Sequence, residues 1–112
     1  MTKAKAEKIT GCEVKLVVIG RQHNAIASEG GVPIATVMGY SPAEAYRKLV
    51  EKVYKILSAR QREAQRGRCA NCGELRPLEI DHIRMRSHGR DDRQIRALCV
   101  ECHQIRHRRG QV

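Results

Sequence analysis

The chain has 112 residues, with 22 Lys or Arg against 12 Asp or Glu, and so carries a formal net charge of +10 at pH 7. This length allows one small domain or two smaller units, and the lack of Phe and Trp limits the core, so a metal or a crosslink is expected. The positive charge predicts binding to an anionic polymer. No apolar run approaches the about 20 residues that cross a membrane, so nucleic acid is the expected partner and no membrane is expected.

The positive charge is spread evenly along the chain. Residues 1–65 and residues 66–112 each carry eleven basic and six acidic side chains, but the second part contains no lysine. Arginine presents a planar fork of donors that matches phosphate oxygens, so this composition favours a phosphate-binding surface. A solvated basic surface, or coding that favours arginine, is the open alternative.

The first elements are predicted from β-branched residues and glycines. Residues 1–10 are expected to be a mobile basic lead-in, and their lack of an apolar segment argues against a signal peptide and predicts a cytoplasmic location. Residues 13–19 and 32–38 each predict a strand, and the two together predict a β-hairpin. Residues 22–28 between them are either a loop or a short strand.

A long helix follows. Ser41 predicts the N-cap, Pro42 fits the first turn, and Glu44 completes a capping box. Apolar residues then recur at helical spacing, and the pattern ends at Gly67. Residues 1–65 therefore predict an accessory unit of two strands and a helix, which either supports packing or helps to position nucleic acid.

Two pairs of cysteines mark the second part. Cys69 and Cys72, like Cys99 and Cys102, are separated by two residues, a spacing that suits tetrahedral zinc. A redox pair is the alternative for one such motif, but two pairs in a reducing compartment favour a structural Zn²⁺. The 26 residues between the pairs exceed the about 15 to 20 of a plain zinc ribbon, so the metal is expected to clamp an inserted segment.

Polar residues interrupt an apolar strand within that segment. Residues 78–83 predict a strand, and Asp81 and His82 can flank one cleft if the strand bends or ends near them. His103 and His107 are four residues apart, so a helix would place both imidazoles on one face, where they suit one metal ion.

With these motifs, residues 69–107 resemble the HNH endonucleases. The matching stretches are CANC at 69–72, LEIDHI at 78–83 and IRALCVECH at 95–103, followed by His107. The resemblance implies a zinc-stapled, treble-clef-like ββα-metal unit at residues 66–112. With the small N-terminal β-hairpin and the long helix predicted above, the expected fold class is α+β. The resemblance further implies a metal-dependent endonuclease that hydrolyses DNA.

The resemblance also assigns roles to single residues. It implies that His82 is the general base and that Asp81, His103 and His107 hold one catalytic divalent ion, which is Mg²⁺, Mn²⁺, Ni²⁺ or Zn²⁺. Gln94 stands where the family has an asparagine that positions the base, and its extra methylene would displace the amide by more than about 1 Å. A small shift of the loop, or help from Asp91 or Asp92, would compensate for that displacement.

Five arginines close to these motifs are expected to contact DNA phosphates without reading sequence. They are Arg84, Arg86, Arg106, Arg108 and Arg109. Two alternatives to a DNA endonuclease stay open. One is a zinc-stapled DNA-binding module that has lost catalysis, and the other is an accessory factor that acts through a phage or host protein, such as a phage packaging enzyme.

Overall fold

The computed structural model of the protein describes residues 1–83 and 89–110, with side chains as far as residue 107. Its fold is α+β, as predicted. The elements are α1 (Lys3–Thr10), β1 (Glu13–Ile19), β2 (Gln22–Glu29), β3 (Val32–Gly39), α2 (Pro42–Ala64), β4 (Leu78–His82), β5 (Ile95–Cys99) and α3 (Val100–Gly110). None of the helices in the described ranges combines the length and the apolar character of a membrane span.

The first three strands form an antiparallel sheet in the order β1-β2-β3. The segment that was either a loop or a short strand is the middle strand β2. It pairs with both β1 and β3, so the two predicted strands lie at the edges of a three-stranded sheet and do not pair directly as a hairpin. The core face of the sheet carries small residues, such as the fully buried Ala25 and Ala27. Close packing of α2 depends on them and on Gly39, because a Cβ added at Gly39 would lie 2.7 Å from the backbone nitrogen of Ala45.

Helix α2 begins as the sequence predicts. The side chain of Ser41 accepts a hydrogen bond from the Glu44 backbone N–H at 3.2 Å, and Pro42 occupies the first turn. The carboxylate of Glu44 in turn pairs with Lys48, and this bond lowers the pKa of Glu44. The apolar face of α2 packs against the sheet through Leu49, Val50, Val53 and Leu57.

Replacing Ser41 with alanine is expected to lower the free energy of unfolding by about 1 kcal/mol, because the Glu44 N–H would lose its acceptor. Chemical denaturation followed by circular dichroism measures this change. The Ser41→Asp variant keeps an acceptor at the cap and should retain nearly the stability of the wild type. Equal losses in the two variants would contradict the capping role.

The N-terminal segment differs from the predicted mobile lead-in. Residues 3–10 form α1, which Thr2 caps and which Gly11 ends with a positive φ of 66°. Ala6 and Ile9 are buried in the main core, and α1 packs on α2. The apolar face of α1 is only two side chains wide, so its burial depends on α2 and the sheet rather than on a pattern within residues 1–10.

The C-terminal part is a ββα unit. Strands β4 and β5 pair antiparallel, and α3 follows β5 without a loop. The unit has a very small core of its own, formed by the buried Cys69, Leu98 and Cys99 with Leu78 and Cys102 packed against them. So small a cluster cannot stabilise a fold through apolar burial alone.

Several contacts join this unit to the first part. The side-chain amide of Gln65, at the end of α2, both donates to the carbonyl and accepts from the N–H of Ala97 at 2.9 Å, and so pairs with the edge of β5. Ile95 belongs to the main core. The backbone N–H of Asp92 donates to the carbonyl of Ile9 in α1 at 2.8 Å. The division of the chain at residue 65 stays a prediction, but the two parts share packing across it.

Candidate zinc and catalytic sites

The four cysteines of the two pairs converge on one point. One sulfur each from Cys69, Cys72, Cys99 and Cys102 lies within 4.8 Å of the others, a spacing that suits the ligands of a single tetrahedral ion. The first pair lies in a tight turn, in which Gly73 N–H donates to the Cys69 carbonyl at 2.9 Å. The second pair lies at the end of β5 and in the first turn of α3. Four thiolates in this arrangement fit Zn²⁺.

Hydrogen bonds favour the thiolate form of Cys69, one of the four candidate ligands. Burial raises the pKa of the Cys69 thiol, but the backbone N–H groups of Cys72, Cys99 and Asn71 outweigh it and lower the pKa to about 6. The side-chain amide of Asn71 lies 3.4 Å from Cys102 Sγ and lowers the pKa of Cys102, whereas the neighbouring thiols and burial raise it to about 11. Four sulfurs this close repel one another once ionised, so a dication would stabilise the cluster.

A second group of metal-binding side chains lies between β4 and α3. One ligand atom each from Asp81, His103 and His107 lies within 4.8 Å of the others. The Nε2 atoms of the two imidazoles are 2.9 Å apart, and His103 Nε2 lies 3.5 Å from Asp81 Oδ1. Asp81 is buried, with 4 % of its surface exposed. Two imidazoles and one carboxylate are a donor set that fits a divalent ion, so we name these three residues the metal triad.

Arginines hold the other carboxylate oxygen of Asp81. Arg106 donates to Asp81 Oδ2 at 2.5 Å, and Arg96 donates to the same oxygen at 3.4 Å. Arg106 also donates to the carbonyls of His82 at 3.3 Å and Ile83 at 3.0 Å. The sequence predicted Arg106 to be a phosphate contact. In the structure its guanidinium contacts the end of β4, where it binds both the carboxylate and the backbone, and its contact with phosphate stays a prediction.

His82 leaves β4 on the side opposite to Asp81, as strand alternation requires. Its Nε2 lies 2.8 Å from Oδ1 of Asp92, whose side chain is 0 % exposed. Arg90 donates to both Asp92 oxygens, at 2.8 and 3.0 Å. A carboxylate paired with a guanidinium only accepts, so His82 donates from Nε2, and the neutral ring keeps its lone pair on Nδ1. Asp92 therefore selects the tautomer of His82.

The ring of His82 also stacks on α2. The centroids of the Tyr54 and His82 rings are 5.9 Å apart, and the ring planes differ by 9°. Arg90 lies over the Tyr54 ring, with Cζ 5.5 Å from the centroid. The His82 side chain keeps 33 % of its surface exposed. The imidazole is thus held in place while part of it stays open to solvent.

Residues 68–109 match the family model described as HNH endonuclease. This segment is an HNH domain. The resemblance seen in the sequence motifs is therefore confirmed, and the match contains the clustered cysteines, the metal triad and His82. Comparisons with curated proteins and with solved structures gave no match. The HNH domain indicates a nuclease-type function and a metal-binding protein.

Gln94 contributes only its peptide group to this part of the HNH domain. Its carbonyl accepts from Ile83 N–H at 2.8 Å, and its N–H donates to the Asp91 carbonyl at 3.1 Å. The side chain is exposed and makes no hydrogen bond within the described residues. The contacts expected of its amide, which fix the chain around His82, come from Arg106 and Asp92 instead.

The side chains of the other four predicted phosphate contacts fall outside the part of the chain that the structure describes. Arg84 and Arg86 lie outside the described residues, and the side chains of Arg108 and Arg109 at the end of α3 lie outside them too. Their contact with DNA stays a prediction.

Two further contacts around His82, those of Arg106 and Tyr54, were not expected from the sequence. Arg106 lies three residues after His103, so helical spacing alone could have placed it on the face that meets Asp81. Tyr54 carries no such signal, because its contact with His82 exists only through the packing of α2 on the HNH domain.

Proposed function

We propose that the protein is a metal-dependent endonuclease that hydrolyses DNA phosphodiester bonds with His82 as its general base. One observation carries this proposal: Asp81 faces the two histidines of α3, and the next residue along β4 is an imidazole whose tautomer a buried carboxylate selects. Asp81 and His82 are the last two residues of β4, so a phosphate bound across the end of the strand can reach both an ion at Asp81 and the imidazole on the other face. The net charge of +10 supports a DNA substrate.

The residues divide the chemistry among them. His82 Nδ1 takes a proton from the water that attacks phosphorus, and Asp92 stabilises the resulting imidazolium through Nε2. The bond from phosphorus to the 3′ oxygen breaks, and that oxygen takes a proton from solvent. Asp81, His103 and His107 would hold a divalent ion, which when bound stabilises negative charge on the phosphate and on the departing oxygen. Arg106 keeps Asp81 and the His82 backbone in place.

Zinc at the four cysteines has a different, structural role in this proposal. It would link the turn at residues 69–73 to the junction of β5 and α3. Helix α3 carries His103 and His107. The closed set of four thiolates leaves no open position for a substrate, as is usual for structural zinc.

Plasmid nicking with different ions tests the proposal. The zinc-loaded protein is expected to nick supercoiled plasmid in at least one of Mg²⁺, Mn²⁺, Ni²⁺ or Zn²⁺. His103→Ala should slow nicking by about 100-fold or more, since it removes a ligand whose ion stabilises the transition state. His23→Ala is the matched control, because His23 lies in β2 outside both clusters. Equal rates for wild type and His103→Ala would overturn the metal assignment.

The exposed side chain of Gln94 favours a second candidate, a zinc-stapled DNA-binding module without catalysis. That candidate predicts salt-dependent DNA binding and no nicking with any of the four ions. The same assay, run beside a binding measurement, separates the two functions.

A further inference from the structure

A cavity opens between α2 and β4, next to the metal triad. Its volume is about 420 Å³. One wall is formed by α2, which lies outside the HNH segment at residues 68–109, and His103 of the triad closes one side. The polar side chains that line it are Lys55, Ser58, Arg62, Glu79 and His103, together with the ring of Tyr54.

The two cations of this wall form no ion pair within the described residues. Lys55 and Arg62 are both exposed, and Arg62 makes a hydrogen bond of 3.4 Å to the Leu78 carbonyl. Other basic residues of α2 are bound to carboxylates or to carbonyls of the sheet, namely Arg47, Lys48, Lys52 and Arg60. The charge of Lys55 and Arg62 is therefore available to a ligand.

An unsatisfied hydroxyl lies between these cations. Ser58 follows Lys55 by three residues and precedes Arg62 by four, so the three side chains share one face of α2. Ser58 is 4 % exposed, and its Oγ has no hydrogen-bond partner among the described residues. A buried hydroxyl without a partner is unfavourable, and an acceptor oxygen in the cavity would relieve it.

The cavity is also lined by one carboxylate, that of Glu79, which affects the charge of the ligand that it can bind. Glu79 lies with its Oε1 3.4 Å from His103 Nδ1, so its charge is directed toward the imidazole. Two cations and one carboxylate leave this wall positive. The ligand that fits is an anion rich in acceptor oxygens, with an apolar part to cover Tyr54 and Ile80.

We propose that this cavity binds the backbone phosphate and sugar of a nucleotide that flanks the scissile bond, so that α2 provides a second phosphate subsite. The inference rests on the proposed function, because it takes the substrate to be a DNA strand. The volume lies within the about 300–1,000 Å³ of ordinary ligand sites and accommodates a single nucleotide. Since His103 belongs to both the triad and the cavity, the subsite adjoins the scissile phosphate.

Salt-dependent binding provides the first test. In a His82→Ala background, fluorescence anisotropy with a short DNA duplex should show about tenfold weaker binding for Lys55→Ala/Arg62→Ala. The slope of log K against log salt should fall in magnitude by about 0.9, the value for one lost phosphate contact. The matched control is Lys48→Ala/Lys52→Ala, which removes the same charge from residues that bond Met38 and Thr36 of the sheet. Equal losses in the two double variants would overturn the subsite and leave only a net-charge effect.

Substrates shortened from either end provide the second test, in proteins that keep His82. On one side of the cut, removal of the flanking nucleotide should raise the KM of the wild type about tenfold. The same truncation should cause no further loss in Lys55→Ala/Arg62→Ala, because the contact is already missing. Ser58→Ala should raise the KM for the substrate that keeps the flanking nucleotide and should leave the KM for the truncated substrate unchanged.

The outcomes separate the two proposals. Additive losses from truncation and substitution would overturn the subsite while leaving the nuclease intact. Binding that depends on Lys55 and Arg62, without nicking in any ion, would support this surface and overturn the nuclease.

Discussion

Replacement of His82 by alanine is expected to slow DNA nicking by about 10²- to 10⁴-fold while DNA affinity stays within about threefold of the wild type. The substitution removes Nδ1, which accepts the proton of the attacking water, but leaves the metal triad and the basic surface unchanged. Single-turnover nicking measures the rate, and anisotropy at fixed salt measures the affinity. Circular dichroism checks that the variant is folded.

Two companion variants make this result specific. Asp92→Asn keeps the shape of the buried side chain, but its amide both donates and accepts, so His82 is no longer confined to one tautomer. Its rate should fall by about 10²-fold or more. Gln94→Ala should remain close to the wild type, since the side chain of Gln94 is exposed. A wild-type rate for His82→Ala would contradict the assignment of His82 as the general base. A loss in Gln94→Ala as large as that in His82→Ala would show that the Gln94 side chain positions the base after all.

Loss of the zinc proposed at the four cysteines is expected to unfold the ββα unit. The double variant Cys69→Ser/Cys72→Ser removes two of the four ligands, and the small cluster around Leu98 cannot replace them. Zinc contributes about 10–16 kcal/mol to the folding of zinc-finger peptides, which is comparable with the whole stability of a small domain. Hydrogen exchange should therefore show fast exchange in β4, β5 and α3, with protection retained in α2.

The fifth cysteine provides the control for this experiment. Cys12 is buried in the main core and lies outside the zinc cluster. The Cys12→Ser variant should keep one zinc per chain and the exchange pattern of the wild type. Protected β4 and β5 amides in the zinc-free double variant would mean that apolar packing alone holds the unit, contrary to expectation.

Local patterns predicted much of the fold. Ser41, Pro42 and Glu44 determine the start of α2 through contacts within one turn, so the sequence alone was sufficient there. The middle strand β2 was left open because Ala25 and Ala27 have little β-propensity of their own. Helix α1 was not predicted, because Ile9 is buried only by partners that come later in the chain.

In the candidate site too, contacts set by local spacing were predicted and contacts set by tertiary packing were not. The zinc ligands and the pair His103 and His107 follow from spacings of two or three intervening residues, which a turn or a helix converts directly into proximity. Helical spacing fits Arg106 to the face of α3 that meets Asp81, and Asp92 was considered as a helper. Their contacts with His82, however, could not be predicted in this way. Asp92, Arg106 and Tyr54 reach His82 from a loop and from two different helices, so their contacts depend on the folded packing of the whole chain.

The bond between the Asp92 N–H and the Ile9 carbonyl joins the loop behind the proposed base to the first helix of the chain. Grafting residues 68–109 onto another protein would carry the metal ligands along but leave that loop without its anchor. Residues 68–109 alone therefore lack one of the contacts that hold the surroundings of His82 in place. Sequence changes near the N-terminus can therefore alter how firmly His82 is oriented, without a change to any residue of the proposed site.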